Sequence, residues 1–259
     1  MLLMSKTQKV QSIERALSIL ECFSINETAL SILEISEKID LPRPTIARLV
    51  YTLESRGYLM RKGSSKKYSL GMSLFRLGTI VQNSIQLSTV ARPILKKLQA
   101  ISNETVYLDV IDGNYRLCVL SFESNHTIRS VVPVGQRSPL HAGSDGKVLL
   151  AYQPEKYIND FIQNSYLKSF TANTITDPER LKKELSIIRE KGYSLSYAEY
   201  SPDSAGISSP VWDGTGNVVA AISLSLPQYR ATEDTVKIYI RELQKASQAL
   251  SRQLGADMD

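Results

Sequence analysis

The chain is poor in the residues that most often carry chemistry: its 259 residues include two cysteines, two histidines and one tryptophan. Cys22 and Cys118 lie far apart, with no second cysteine or nearby histidine at a metal-ligand spacing. Both therefore read as buried thiols, and neither a metal nor a cofactor is expected. With only His126 and His141 to draw on, a catalytic Ser, His and acid set has little material, and no catalytic residue is assigned. Long hydrophobic runs are missing too. No apolar stretch approaches the roughly 20 residues that a membrane-spanning helix needs, and Met1 to Met4 is too short for the apolar region of a signal peptide. A cytoplasmic protein with no membrane partner is expected.

What the chain does have is positive charge in one place. Of the net +5, residues 1–71 contribute +4, with 11 Lys and Arg against 7 Asp and Glu, while residues 72–259 hold 20 against 19. Between Leu41 and Gly71 the bases Arg43, Arg48, Arg56, Arg61, Lys62, Lys66 and Lys67 face only Glu54. Such a cluster is the electrostatic footprint of a surface for a polyanion. At 42% apolar residues the length supplies cores for two domains.

The N-terminal pattern gives that cluster a scaffold. Ile13, Leu17 and Leu20, with Ile19 and Phe23, recur at helical spacing and predict an amphipathic helix over Val10 to Phe23, with Ser12 as its cap. A short second helix fits Ser31 to Lys38. A third starts near Pro44, its stripe formed by Ile46, Leu49, Val50 and Leu53, and Gly57 stops it. The opposite face of the third helix carries Arg43, Thr45, Arg48, Tyr51 and Thr52, side chains suited to base edges and phosphates. A hairpin follows from Tyr58 to Leu70 with a Gly, Ser and Lys tip, so that Lys66 and Lys67 would sit on a wing.

Three successive stretches carry a resemblance: Val10-Gln-Ser-Ile-Glu-Arg-Ala-Leu-Ser-Ile-Leu-Glu, Leu41-Pro-Arg-Pro-Thr-Ile-Ala-Arg-Leu with Leu53-Glu-Ser-Arg-Gly-Tyr-Leu, and Lys67-Tyr-Ser-Leu-Gly. They resemble the DNA-binding domain of the IclR family of transcriptional regulators, and the match extends over nearly the whole chain. Pro44 departs from it, standing where the family usually has a small hydroxyl residue. The resemblance implies a winged helix-turn-helix over 1–71, a linker helix over 72–86 and an effector-binding and oligomerisation domain over 87–259. The linker helix shows an apolar stripe of Leu74, Leu77, Ile80 and Val81, and Pro93 is expected to mark a break or new start. A single recognition helix usually pairs with a copy of itself, so a homodimer or tetramer is expected.

Beyond Glu104 the pattern turns to strands over Thr105–Ile111, Tyr115–Phe122, Thr127–Val132, Tyr193–Tyr197, Ile207–Trp212 and Val218–Leu226. Helices are expected over Asp177–Lys191, with Asp177 as cap, and over Thr232–Leu254. The fold class is α+β with an antiparallel sheet; the resemblance makes that sheet GAF-like with a ligand pocket on one face.

The segment Gly135 to Ala151 invites several chemistries. Gly143-Ser-Asp-Gly-Lys has two residues between its glycines where a phosphate loop needs four. Ser144 and Lys147 match the Ser-x-x-Lys of acylating hydrolases, but Ser64/Lys67 and Ser165/Lys168 share that spacing. A hydrolase-like enzyme with an accessory DNA-binding domain is the alternative reading. The preferred one has Ser144, Asp145 and Gly146 form a turn opening a helix from Lys147 to Tyr152, whose amides favour a small anion. The resemblance puts Ser144 and Asp145 against the effector, and Ser196, Gly206, Ser223 and Ser225 at the other contact positions. Period-two spacing would place both Ser223 and Ser225 in one cavity. Asp145 would repel an acidic effector, so either the effector is less acidic or the aspartate only caps the helix. The expected function is operator binding, repressive in mode, modulated by a small carboxylate or aromatic metabolite.

Overall fold

A computed structural model describes residues 10–24, 26–63, 65–84 and 86–257, without the side chains of residues 79, 81–84 and 86. The segment Met1 to Met4 and the side chain of Val81 therefore lie outside the described residues. The chain divides into two compact units, one ending at Ser84 and one starting at Ile85.

The first unit opens with α1 (Gln11–Glu21). Val10, not Ser12, starts this helix, because the Val10 carbonyl already accepts from the amides of Ile13 and Glu14. Helix α2 (Ile32–Ile39) is fixed by a reciprocal cap: the Ser31 hydroxyl accepts from the Glu34 amide at 3.3 Å, and the Glu34 carboxylate accepts from the Ser31 amide at 2.7 Å. Asp40, at φ 46°, turns the chain into α3 (Arg43–Ser55), and Gly57, at φ 73°, turns it out again. Strands β1 (Leu30–Ser31), β2 (Leu59–Arg61) and β3 (Lys67–Leu70) form an antiparallel sheet in the order β1-β3-β2. Ile19, Ile35, Ile46, Val50, Leu59 and Tyr68 close the core between helices and sheet. This is a winged helix-turn-helix. Replacing Ser31 by alanine removes one half of the reciprocal cap and is expected to cost about 1 kcal/mol, read as a lower denaturation midpoint with an unchanged slope.

The unit ends in α4 (Met72–Ser84), on which Met72, Phe75, Leu77 and Ile80 are exposed and Leu74 is half-buried.

The second unit begins with α5 (Gln86–Ser102), which runs through Pro93 instead of breaking there. Ala91, Leu95 and Leu98 are buried on either side of the proline, and their packing outweighs the one hydrogen bond that Pro93 cannot make. Six strands follow: β4 (Thr105–Asp112), β5 (Tyr115–Phe122), β6 (Arg137–Pro139), β7 (Ser194–Tyr197), β8 (Ser204–Trp212) and β9 (Val218–Pro227). They form one antiparallel sheet in the order β6-β5-β4-β9-β8-β7. Period-two alternation splits them between two faces. Val106, Leu108, Ile207, Ile222 and Leu224 pack under α5 and the closing helix α9 (Glu233–Gln253). The opposite face carries α6 (Ser144–Ala151), backed by α7 (Glu155–Asn164) and α8 (Pro178–Lys191). Asp177 caps α8 by accepting from the Arg180 amide at 2.7 Å.

The segment Thr127–Val132 is not a strand. Its carbonyls are held by side chains instead: Ile128 accepts from Arg230 at 3.1 Å and Ser130 from the Thr105 hydroxyl at 2.6 Å. Among the described residues, no helix is long and apolar enough to cross a membrane, and no group of three or more His, Cys, Asp or Glu is placed to hold a metal. Both cysteines are free thiols; Cys118 is buried, whereas Cys22 is only half-buried.

Candidate nucleic-acid surface and ligand cavity

In the first unit, the apolar stripe of α3 turns inward and leaves Arg43, Arg48 and Tyr51 exposed, with Thr45 half-buried beside them. The Thr52 hydroxyl donates to the Arg48 carbonyl at 2.9 Å, which occupies its proton within the helix. On the wing Lys66 and Lys67 are exposed, but Lys67 pairs with Glu34 at 2.9 Å. That pair ties the wing strand to the capped start of α2. The Ser31 amide and the Lys67 ammonium hold the Glu34 carboxyl down at about 2. Arg61 is committed too, since it donates to the Tyr68 hydroxyl at 2.8 Å. The cations of α3 thus stand open, whereas Lys67 has to exchange a carboxylate for any phosphate it meets.

In the second unit, a cavity of about 460 Å³ lies on the α6 face of the sheet. Ser144, Asp145, Ser196, Gly206 and Ser225 line it, together with Tyr107, Arg116 and Tyr200. Ser223 is not among the lining residues, contrary to the expectation that it enters the cavity alongside Ser225. It is fully buried and accepts from the Ser208 hydroxyl at 2.8 Å, and Ser208 in turn meets Ser144 at 2.8 Å. The period-two argument is right about the face and blind to depth along the strand. Gly206 is required by crowding, since a Cβ there would come within 2.6 Å of the Ser144 Oγ and 3.1 Å of the Ser196 Oγ. Gly206→Val is therefore expected to displace α6 from β8 and abolish ligand-induced thermal stabilisation, which differential scanning fluorimetry reads directly.

Helix α6 starts at Ser144, not at Lys147, and the protein's own carboxylates meet two of the amides around its start. The Gly143 amide donates to Glu199 at 3.3 Å and the Gly146 amide to the Asp145 carboxylate at 2.8 Å. The Gly146 amide of the expected anion-binding turn is thus already used, and so is the Gly143 amide just before it. Lys147, the lysine of the Ser-x-x-Lys spacing, is fully buried with its ammonium 2.6 Å from Glu199 and 2.8 Å from Glu184. His141 is also buried, its Nε2 donating to the Lys168 carbonyl at 2.9 Å, and burial lowers its pKa. These groups brace the fold.

The sequence reading missed the floor of the cavity. Arg116 of β5 reaches Asp145 at 2.5 Å and Asp109 of β4 at 2.7 Å, while the Tyr107 hydroxyl donates to Asp145 at 2.6 Å. Burial pushes the Asp109 carboxyl well above the usual carboxylate range, against the pull of Arg116. Burial also works against the charge on Arg116, but Asp145 and Asp109 hold it on. A signal was present: β4 and β5 flank the turn Asp112-Gly113-Asn114, and closing that hairpin puts Asp109 opposite Cys118 and Arg116 opposite Ile111. Two charges on inward-facing positions of neighbouring strands imply a buried pair.

A winged helix-turn-helix with an open basic face, joined in one chain to a sheet domain with a cavity of mixed polar and apolar lining, defines a ligand-sensing DNA-binding regulator. Comparison with known proteins gives the family. The IclR helix-turn-helix domain matches residues 12–63 and the C-terminal domain of bacterial IclR transcriptional regulators matches residues 79–252. The chain belongs to the IclR family of transcriptional regulators, and the alternative reading as a hydrolase finds no support. It is 33% identical to the regulator XynR of Escherichia coli over 95% of this chain and 98% of that protein. It is 32% identical to the transcriptional repressor AllR of the same organism, over 86% of this chain and 83% of that protein. Among solved structures, an IclR homolog from Microbacterium hydrocarbonoxydans complexed with 4-hydroxybenzoate superposes with a TM-score of 0.82 at 28% identity, covering 95% of this chain and 100% of that one.

Proposed function

We propose that this protein represses transcription in the cytoplasm by binding operator DNA as a homodimer or tetramer, and that a small metabolite in the α6-face cavity shifts it between DNA-competent and incompetent arrangements. In this reading residues 1–71 bind DNA, 72–86 form the linker and 87–259 sense the effector and oligomerise. Arg43, Thr45, Arg48 and Tyr51 read bases and phosphates, and Lys66 and Lys67 grip the backbone beside them. Ser144, Asp145, Ser196, Gly206 and Ser225 contact the effector. Ser223 supports them through Ser208. The observation that carries the DNA half is the exposed cationic face of α3 in a chain of this family. The effector half is carried by the cavity, and the Microbacterium homolog with 4-hydroxybenzoate supports it. The apolar residues exposed on α4 support self-association.

The test is a gel shift with the DNA upstream of the protein's own gene, repeated at rising salt. Retardation is expected to weaken steeply with salt, because phosphate contacts release counterions. Arg48→Ala is expected to cost about 1–3 kcal/mol of binding. Salt-independent retardation, or full affinity in Arg48→Ala, would overturn the assignment of α3.

A further inference from the structure

The wing meets the start of α2 through one charged contact, and strand register puts it there. Strand β1 pairs with β3 so that Ser31 lies opposite Lys67, and Ser31 is the cap of α2. Glu34 completes that cap: its Oε2 accepts from the Ser31 amide at 2.7 Å, while its Oε1 accepts from the Lys67 ammonium at 2.9 Å. One carboxylate thus serves the helix with one oxygen and the wing with the other.

Surface ion pairs usually contribute little, in part because two flexible side chains must be held still. Here one of the two is already held. The cap fixes the Glu34 carboxylate, and the Ser31 amide and the Lys67 ammonium together keep its carboxyl down at about 2, so that it is ionised at neutral pH. The carboxylate also removes a repulsion. Without it the ammonium of Lys67 would stand beside the positive end of the α2 dipole, which disfavours a cation. Glu34 therefore both attracts the lysine and offsets the field that would drive it outward. Yet the pair is not sealed, since the Glu34 and Lys67 side chains are 39% and 47% exposed and the lysine can swing away with the fold intact.

We propose that Glu34 sets the DNA affinity of the wing: it holds Lys67 against α2 in the free protein, and a DNA phosphate has to take the ammonium from it. This rests on the reading of Lys67 as a backbone contact and adds the group that Lys67 leaves. Each phosphate contact made by Lys67 replaces one ion pair with another. Salt weakens the pair that is lost as well as the pair that is gained. Lys67 therefore contributes less to affinity, and less to its salt dependence, than an unpaired lysine would at the same place.

The test is fluorescence anisotropy of a labelled DNA duplex of arbitrary sequence with the full chain, across a range of salt, because backbone contacts need no particular sequence. Glu34→Gln removes the charge and keeps the cap, since a glutamine three residues after the capping serine still accepts from its amide. It is expected to bind about two- to fivefold tighter at low salt, with a salt slope steeper by at most about 0.9 for each lysine released. Lys67→Met is expected to bind more weakly and with a shallower slope. Glu37→Gln makes the same change of net charge at an exposed position of the same helix and is expected to gain less than Glu34→Gln. In the Lys67→Met background, Glu34→Gln should gain no more than Glu37→Gln does, because no ammonium is left to release. An affinity and slope in Glu34→Gln equal to the parent's overturn the proposal, and so does a gain of the same size with and without Lys67. If Lys67→Met binds as the parent does, the wing lysine does not meet DNA and the proposal falls with that assignment, while α3 keeps its own. If no form of the chain binds the duplex, the DNA-binding reading falls as well.

Discussion

Lys147→Met is expected to destabilise the second unit by about 3–5 kcal/mol, the usual cost of removing one partner from a buried ion pair. Its ammonium is the only cation within reach of Glu199 among the described residues, and the Glu199 side chain is 9% exposed. Methionine fills much the same volume, so the loss is electrostatic and not a cavity effect. Glu184, partly exposed, can turn its carboxylate to water; Glu199 cannot, because its other oxygen holds the Gly143 amide at the start of α6. Burial already raises the pKa of Glu199, with Lys147 opposing, so on acidification the folded state takes up this proton before the unfolded chain does. Stability from this group is therefore full below the ordinary carboxylate range and is lost as pH rises through the raised value. Without Lys147 that loss must steepen, and the variant should recover much of its melting temperature in mildly acidic buffer. Lys147→Met with Glu199→Gln should be more stable than Lys147→Met alone, since no buried charge is then left without a partner. A variant as stable as the parent at neutral pH would show that Lys147 is not the strut of α6.

The fate of Lys147 shows where the sequence was legible and where it was not. The amphipathic stripes of α1 and α3, the Asp177 cap of α8 and the alternation in β9 are local signals, and each element forms close to where its spacing places it. Pro93 and Thr127–Val132 were misjudged because the deciding contacts come from distant residues. A packed apolar face carries α5 through its proline, and side chains from Arg230 and Thr105 take the carbonyls that a strand would have paired. The cavity follows the same division. The short stretch holding Ser144 and Asp145 was visible, because the first turn of α6 is one local unit. The side chains that determine its charge come from β4, β5 and the loop after β7, which only the folded sheet brings together. A lysine beside a serine reads as chemistry in one dimension; in three, two carboxylates from α8 and that loop claim it.

Arg116→Leu should have a comparably large effect and a more informative pH signature. The substitution leaves Asp109 and Asp145 facing each other, with side chains 0% and 3% exposed and no cation between them. About 3–5 kcal/mol is again the expected scale at neutral pH. Burial lifts the Asp109 carboxyl well above its ordinary range even with the guanidinium in place. Such a raised carboxyl contributes stability that is complete below the unfolded value and disappears as pH rises through the folded one. Removing Arg116 withdraws the main force opposing that rise, so the stability of the variant should fall more steeply with pH than that of the parent. The two curves should converge in acid, where the raised Asp109 carboxyl carries its proton and the missing cation costs less. Denaturation midpoints across pH, measured for parent and variant, read this difference directly. Parallel pH curves for parent and variant would mean that Asp109 and Asp145 are not held by Arg116, and the charge balance of the cavity would have to be redrawn.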